Sequence, residues 1–98
     1  MIPVLLPFHL QTLARCAAEV QVDVTSPATP RAVIMALEAR YPNLRGAIVE
    51  HVTGKRRPLI RFFACQQDIS HEGMDMTLPE AVVEGREPFM IIGAIAGG

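Results

Sequence analysis

Residues 89–95 read FMIIGAI, a run without one polar side chain, and this constrains the fold more than any other stretch. Successive residues of a strand point to opposite faces. A strand that is apolar on both faces belongs in the middle of a sheet, covered by a helix. It is the last candidate strand in the sequence, so the chain must build the sheet around it from earlier segments.

Those segments are legible in part. EVQVDV (19–24) alternates Val20, Val22 and Val24 with Gln21 and Asp23, the period of a half-buried strand. Ahead of it, PVLLPFHL (3–10) is apolar, but Pro3 and Pro7 lack amide donors, which predicts an edge or interrupted strand. The intervening QTLARCAA (11–18) is either a wide loop or a single helical turn. TPRAVIMALEARYP (29–42) carries the strongest helix start: Thr29 caps, and Pro30 takes the first helical position, where a missing amide costs nothing. Val33, Leu37 and Tyr41 share one face with Ala36 and the stem of Arg40, and Tyr41-Pro42 ends the helix. NLRGAIVEHV (43–52) is a candidate short second helix with Leu44, Ala47 and Ile48 inward, weakened by Gly46. TGKRRP (53–58) reads as a turn and LIRFFAC (59–65) as a strand. QQDISHEGMD (66–75) is polar with Ile69 as its buried candidate, and MTLPEAVVEGREP (76–88) holds a Leu78, Val82, Val83 cluster and a turn at Glu84-Gly85.

Two N-terminal strands, a crossover helix and later strands predict an α+β domain with one mixed sheet and one main helix across a single face. A right-handed crossover leaves few arrangements. The leading one is the β-grasp (ubiquitin-like) fold, in which first and last strands pair at the centre, with residues 1–98 as a single domain and 94–98 as a flexible tail.

Composition excludes several functions. A net charge of −1 argues against broad nucleic-acid binding, which relies on neutralising phosphates. The apolar runs are too short to span a bilayer. MIPVLLPFHL lacks the basic opening and cleavage site of a signal peptide, and Cys16 and Cys65 are the only cysteines, so a cytoplasmic chain with reduced thiols is expected. Both cysteines lie outside any CxxC arrangement and read as small buried hydrophobes. His9, His51 and His71 show no ligand spacing, which predicts no metal site. Thr12, Thr25, Ser26 and Ser70 have no triad partners, so no catalytic set is expected. The basic cluster GKRRP (54–58) with Arg61 reads as a solvated turn rather than a steering surface.

Taken in order, EVQVDV, the helix with its RYPNLR ending, LIRFFACQQDI and LPEAVVEGREPFMIIGAIAGG resemble the MoaD/ThiS-type ubiquitin-like sulfur carriers over nearly the whole chain. The resemblance implies a carrier, not an enzyme, acting through the terminal Gly97-Gly98. A carboxylate is a poor electrophile, because its leaving group would be oxide. A ubiquitin-activating-type adenylating enzyme would use ATP to convert the Gly98 carboxylate to an acyl-adenylate. A sulfur donor would displace AMP to leave a thiocarboxylate, which a sulfur-accepting synthase would consume in cofactor or amino-acid biosynthesis (molybdopterin, thiamin or cysteine). The carrier itself would bind no cofactor. Two glycines suit this role because they can thread a narrow channel and adopt backbone angles closed to other residues. The alternatives are a non-catalytic β-grasp interaction module and a ubiquitin-like protein modifier that ends in a lysine isopeptide.

A partner surface follows from strand alternation. Ile60, Phe62 and Ala64 face one way, and Arg61 and Phe63 the other. Since one helix covers one face, Phe63 with Met90, Ile92 and Arg61 forms an exposed partner-binding patch, unless QQDISHEGMDMTLPE folds over it.

Overall fold

The structure, a computed structural model, describes residues 1–93. Pro7 decides its first connection. Strand β1 (Ile2–Leu5) stops just short of it, and helix α1 (Phe8–Ala14) starts just after. The Pro7 carbonyl accepts the amides of Leu10 and Gln11, each at 3.0 Å, while its own missing amide is no loss ahead of a first turn. The segment read as a loop or single turn is therefore a helix, and it begins upstream of QTLARCAA.

Strand β2 (Glu19–Val22) returns antiparallel to β1, pairing Val4 with Val20 and Ile2 with Val22. Helix α2 (Pro30–Arg40) follows with the expected start: the Thr29 hydroxyl accepts the Ala32 amide at 3.1 Å, and Pro30 opens the first turn. It buries Pro30, Val33, Ile34 and Leu37, and Tyr41 ends it before Pro42. The predicted second helix is absent. In its place stands a single 3-10 turn at Pro42–Leu44, after which Gly46, at φ 81, takes the chain out of helical geometry. Leu44 and Ile48 are nevertheless fully buried.

Strand β3 (Ile60–Ala64) and the two-residue strand β4 (Gln67–Asp68) form a tight hairpin. Its turn residues, Cys65 at φ 52 and Gln66 at φ 66, both lie in the left-handed region that two-residue hairpin loops use. The Cys-Gln pair carries none of the Asn-Gly signature, which is why the hairpin is invisible in the sequence. Cys65 is thus an exposed turn residue, which corrects the reading of it as a buried hydrophobe. Helix α3 (Glu80–Val83) buries Val82 below Leu78, whereas Val83 turns outward instead of completing the expected cluster.

Strand β5 (Phe89–Gly93) lies centrally in the order β2-β1-β5-β3-β4. It runs parallel to β1 through Val4–Phe89 and Leu5–Met90, and antiparallel to β3 from Ile60–Gly93 to Ala64–Phe89. First and last strands therefore pair at the centre. β1 is an inner strand rather than the edge its prolines suggested; its pairing with β5 involves only Val4 and Leu5, beyond Pro3. Edge positions fall to β2 and β4. Below the sheet, Phe62 and Phe89 meet at 5.2 Å between centroids, tilted by 44°, among Val4, Val33, Leu37 and Ile91.

Candidate functional site

Two regions bear on function: the sheet face turned away from α2, and the end of β5 from which the sequence runs on. On the first, the β3–β5 register sets Arg61 opposite Ile92 and Phe63 opposite Met90. Directly opposed residues of an antiparallel pair share a face, so all four residues named from the sequence lie together. Leu5 joins Met90 across the parallel pairing, and Asp68 joins Phe63 from β4. Ile92 is 41% exposed, while Arg61, Phe63, Met90 and Leu5 are half-buried. Alternation places their neighbours Ile60, Phe62, Ala64, Phe89 and Ile91 in the core.

The long segment after β4 sends its apolar side chains to the core, while His71 reaches Arg61 at the margin of this face. Ile69 and Leu78 enter the core, and Met74 and Met76 pack against it. Its backbone is tied to the start of α2 by Leu78 donating to the Ala28 carbonyl and Arg31 donating to the Met74 carbonyl, both at 2.9 Å. An Arg31–Asp75 ion pair at 2.8 Å adds a side-chain link, and it holds the Asp75 carboxyl below its ordinary pKa.

Arg61 is less free than a surface cation. Its guanidinium donates to Asp68 Oδ2 at 3.0 and 2.7 Å, and Nη2 lies 3.2 Å from His71 Nε2. The Asp68 carboxyl is held down to about 2 by the Ser70 hydroxyl and amide, then by Arg61. This Arg61–Asp68–Ser70 set fixes a polar margin beside the apolar Phe63 and Met90. Arg61 therefore does not act with the 54–58 cluster, where Arg56 donates to the Ile60 carbonyl at 2.6 Å and Arg57 to that of Gly46. The Arg61–Asp68 link spans a hairpin that carries no local signature, so it was not legible in the sequence.

At the other region, Gly93 ends the described part of β5 opposite Ile60. The three nearest atoms to a side chain built at Gly93 would all belong to the His9 imidazole, with Cε1 well inside contact distance. His9, whose spacing in the sequence argued only against a metal site, thus covers the last described rung of the central strand from α1. Gly97 and Gly98, and the expected tail 94–98, lie outside the described residues.

Cys16 is half-buried; burial raises its thiol pKa, against the opposing charge of Arg40, which disfavours the reactive thiolate. Among the described residues no three His, Cys, Asp or Glu side chains group to hold a metal, and no helix is long and apolar enough to cross a membrane.

No protein-family model matches the sequence. No curated protein matches it either. Solved structures do. A chain of the Amycolatopsis orientalis BexX/CysO complex superposes over the full length of both chains with a TM-score of 0.78 at 20% identity. SAMP1 from Haloferax volcanii gives 0.76 at 19% identity, covering 98% of this chain and 97% of its own. Mycobacterium tuberculosis CysO gives 0.74 at 21% identity, covering 97% and 100%. The chain has the β-grasp, ubiquitin-like fold. At these identities the likeness is one of fold, extending over essentially the whole chain.

Proposed function

We propose that this chain is a ubiquitin-like sulfur carrier of the MoaD/ThiS kind, activated at Gly98 and working as a substrate of other enzymes rather than as a catalyst. The observation that carries the reading is the central β5. The strand paired parallel to β1 is the one from which the sequence continues as AIAGG, so the diglycine lies three residues beyond the central strand in sequence.

In this reading an adenylating enzyme joins the Gly98 carboxylate to AMP from ATP, releasing pyrophosphate. A sulfur nucleophile then attacks the carbonyl carbon, the bond to AMP breaks, and a terminal thiocarboxylate remains. Gly97 gives clearance for the enzyme's channel. The face bearing Phe63, Met90 and Ile92, with Arg61 held in place by Asp68, docks the adenylating enzyme and then the sulfur-accepting synthase. An apolar centre with a fixed polar edge suits such exchange between partners. The carrier works in the cytoplasm with reduced thiols and binds no cofactor of its own.

The test is accurate intact mass with C-terminal peptide mapping after incubation with ATP, an adenylating enzyme and a sulfur source. Oxygen-to-sulfur exchange at Gly98 nearly matches the mass of an oxidised methionine, so alkylation of the new thiol acid must accompany it. A thiocarboxylate at Gly98 is expected. An unchanged carboxylate, with the enzyme shown to be active by ATP–pyrophosphate exchange on another carrier, would overturn the reading. One observation favours a second outcome of the same activation: SAMP1, among the fold matches above, is the Haloferax volcanii small archaeal modifier protein 1. In that case lysine-linked conjugates through Gly98 would appear.

A further inference from the structure

Among the nine basic residues of the chain, Lys55 is the only lysine; all the others are arginine. The distinction matters for any chain with an activated carboxyl end. An acyl-adenylate or thioester is attacked by an unprotonated amine, which lysine can supply. A guanidinium stays protonated at any working pH and does not attack. Among the side chains of a second copy, an activated Gly98 therefore meets one amine.

The surroundings of Lys55 suit an acceptor. It is exposed, and its backbone is pinned within the 49–56 turn. The Glu50 amide donates to the Lys55 carbonyl at 2.8 Å, and the Lys55 amide donates to the Thr53 hydroxyl at 3.2 Å. It takes part in none of the ion pairs among the described residues. Together with Arg56, Phe62, Ile69, Ser70, Gly73 and Met74 it lines an open hollow of about 270 Å³. Among the described residues no carboxylate lines this hollow, so Lys55 and Arg56 give it cationic charge beside the apolar Phe62, Ile69 and Met74. An end without side chains is small enough for such a space, and a guanidinium at its wall is a donor suited to a carbonyl oxygen.

We propose that Lys55 is a modification site at which one copy of this chain accepts the activated Gly98 of a second copy, giving an isopeptide-linked pair. The proposal rests on the activation of Gly98 put forward above. The unprotonated Lys55 amine attacks the Gly98 carbonyl carbon and a C–N bond forms. The bond from that carbon to AMP, or to a thiol, breaks; the leaving group departs with the electron pair, and the surplus proton passes to solvent. Nothing is oxidised or reduced. With arginine at every other basic position, Lys55 is the one side-chain amine that can take the linkage.

The experiment bypasses the activating enzyme, so its failure is separable from failure of adenylation. The full chain is prepared as a Gly98 thioester of 2-mercaptoethanesulfonate and mixed with unactivated chain. The expected product is two chains joined with loss of the thiol, and peptide mapping should place the isopeptide on Lys55. Lys55→Arg should remove this product while leaving the circular dichroism spectrum and thermal midpoint unchanged, and Arg56→Ala should reduce its yield. Linkage at the Met1 amine instead, equal yield from Lys55→Arg, or equal yield from urea-unfolded acceptor would each overturn the proposal.

Discussion

Replacing Gly93 by alanine tests how the last described rung of β5 is built. Gly93 does not occupy the left-handed region, so its backbone accepts an alanine without strain. Lowering the freedom of the unfolded chain would then stabilise by about 0.5 kcal/mol. Against this stands the His9 ring, with Cε1 inside contact distance of the new Cβ and Nε2 and Nδ1 at 3.2 and 3.3 Å. Overpacking costs about 1–3 kcal/mol, and the exposed His9 ring can swing aside, which places the cost at the lower end, about 1–2 kcal/mol. In the wild-type background Gly93→Ala should therefore destabilise by about 0.5–1.5 kcal/mol. In a His9→Ala background the obstacle is gone, and the same change should stabilise by about 0.5 kcal/mol. The sign reverses, and the coupling is about 1–2 kcal/mol. Urea unfolding followed by circular dichroism on the four proteins measures it, with unchanged m-values as the check on two-state behaviour. An equal effect of Gly93→Ala in both backgrounds would refute the packing of His9 over this rung.

Two further outcomes follow from single contacts. Thr29→Ala removes the hydroxyl that accepts the Ala32 amide, and should cost about 1 kcal/mol, or roughly 4–8 °C in thermal midpoint for a domain of this size; Thr29→Ser should recover most of it. The Asp68 carboxyl, held to about 2 in the folded state, lies below its ordinary value near 3.9, so its link to Ser70 and Arg61 is complete above about pH 4 and is lost as pH falls toward 2. A carboxyl titration by NMR should give that low midpoint, and Ser70→Ala should move it upward; a midpoint near 4 in the native chain would contradict the network.

The legible parts of the fold were those whose signals are local. The Thr29-Pro30 start and the Tyr41-Pro42 stop depend on residues adjacent in sequence and stand as read, and the Val20, Val22, Val24 alternation does so up to Val22, where β2 ends. The double-sided apolar run of β5 was local too, and it announced a central strand. Illegible features depended on something distant or uncharacteristic. The prolines of β1 marked it as an edge or interrupted strand, in tension with the central place the fold gives the first strand; its pairing with β5 through Val4 and Leu5 alone resolves this in favour of the centre. Cys65-Gln66 takes a turn geometry usually carried by Asn-Gly, because the β3–β4 pairing holds it there.

For the candidate site the division is similar. Strand periodicity alone separated Arg61 and Phe63 from Ile60 and Phe62, since successive strand residues must point to opposite faces. Register decided which residues of β5 share that face, setting Met90 against Phe63 and Ile92 against Arg61. The sequence by itself determined the composition of the central strand, the main helix and its cap, the single lysine and the Gly-Gly end, because these are properties of residue type and spacing. Tertiary structure alone decided the register in which β1 meets β5, the Asp68 and Ser70 links around Arg61, and the His9 ring over Gly93. These last are meetings of groups far apart along the chain, and only the closing of the sheet around β5 brings them together.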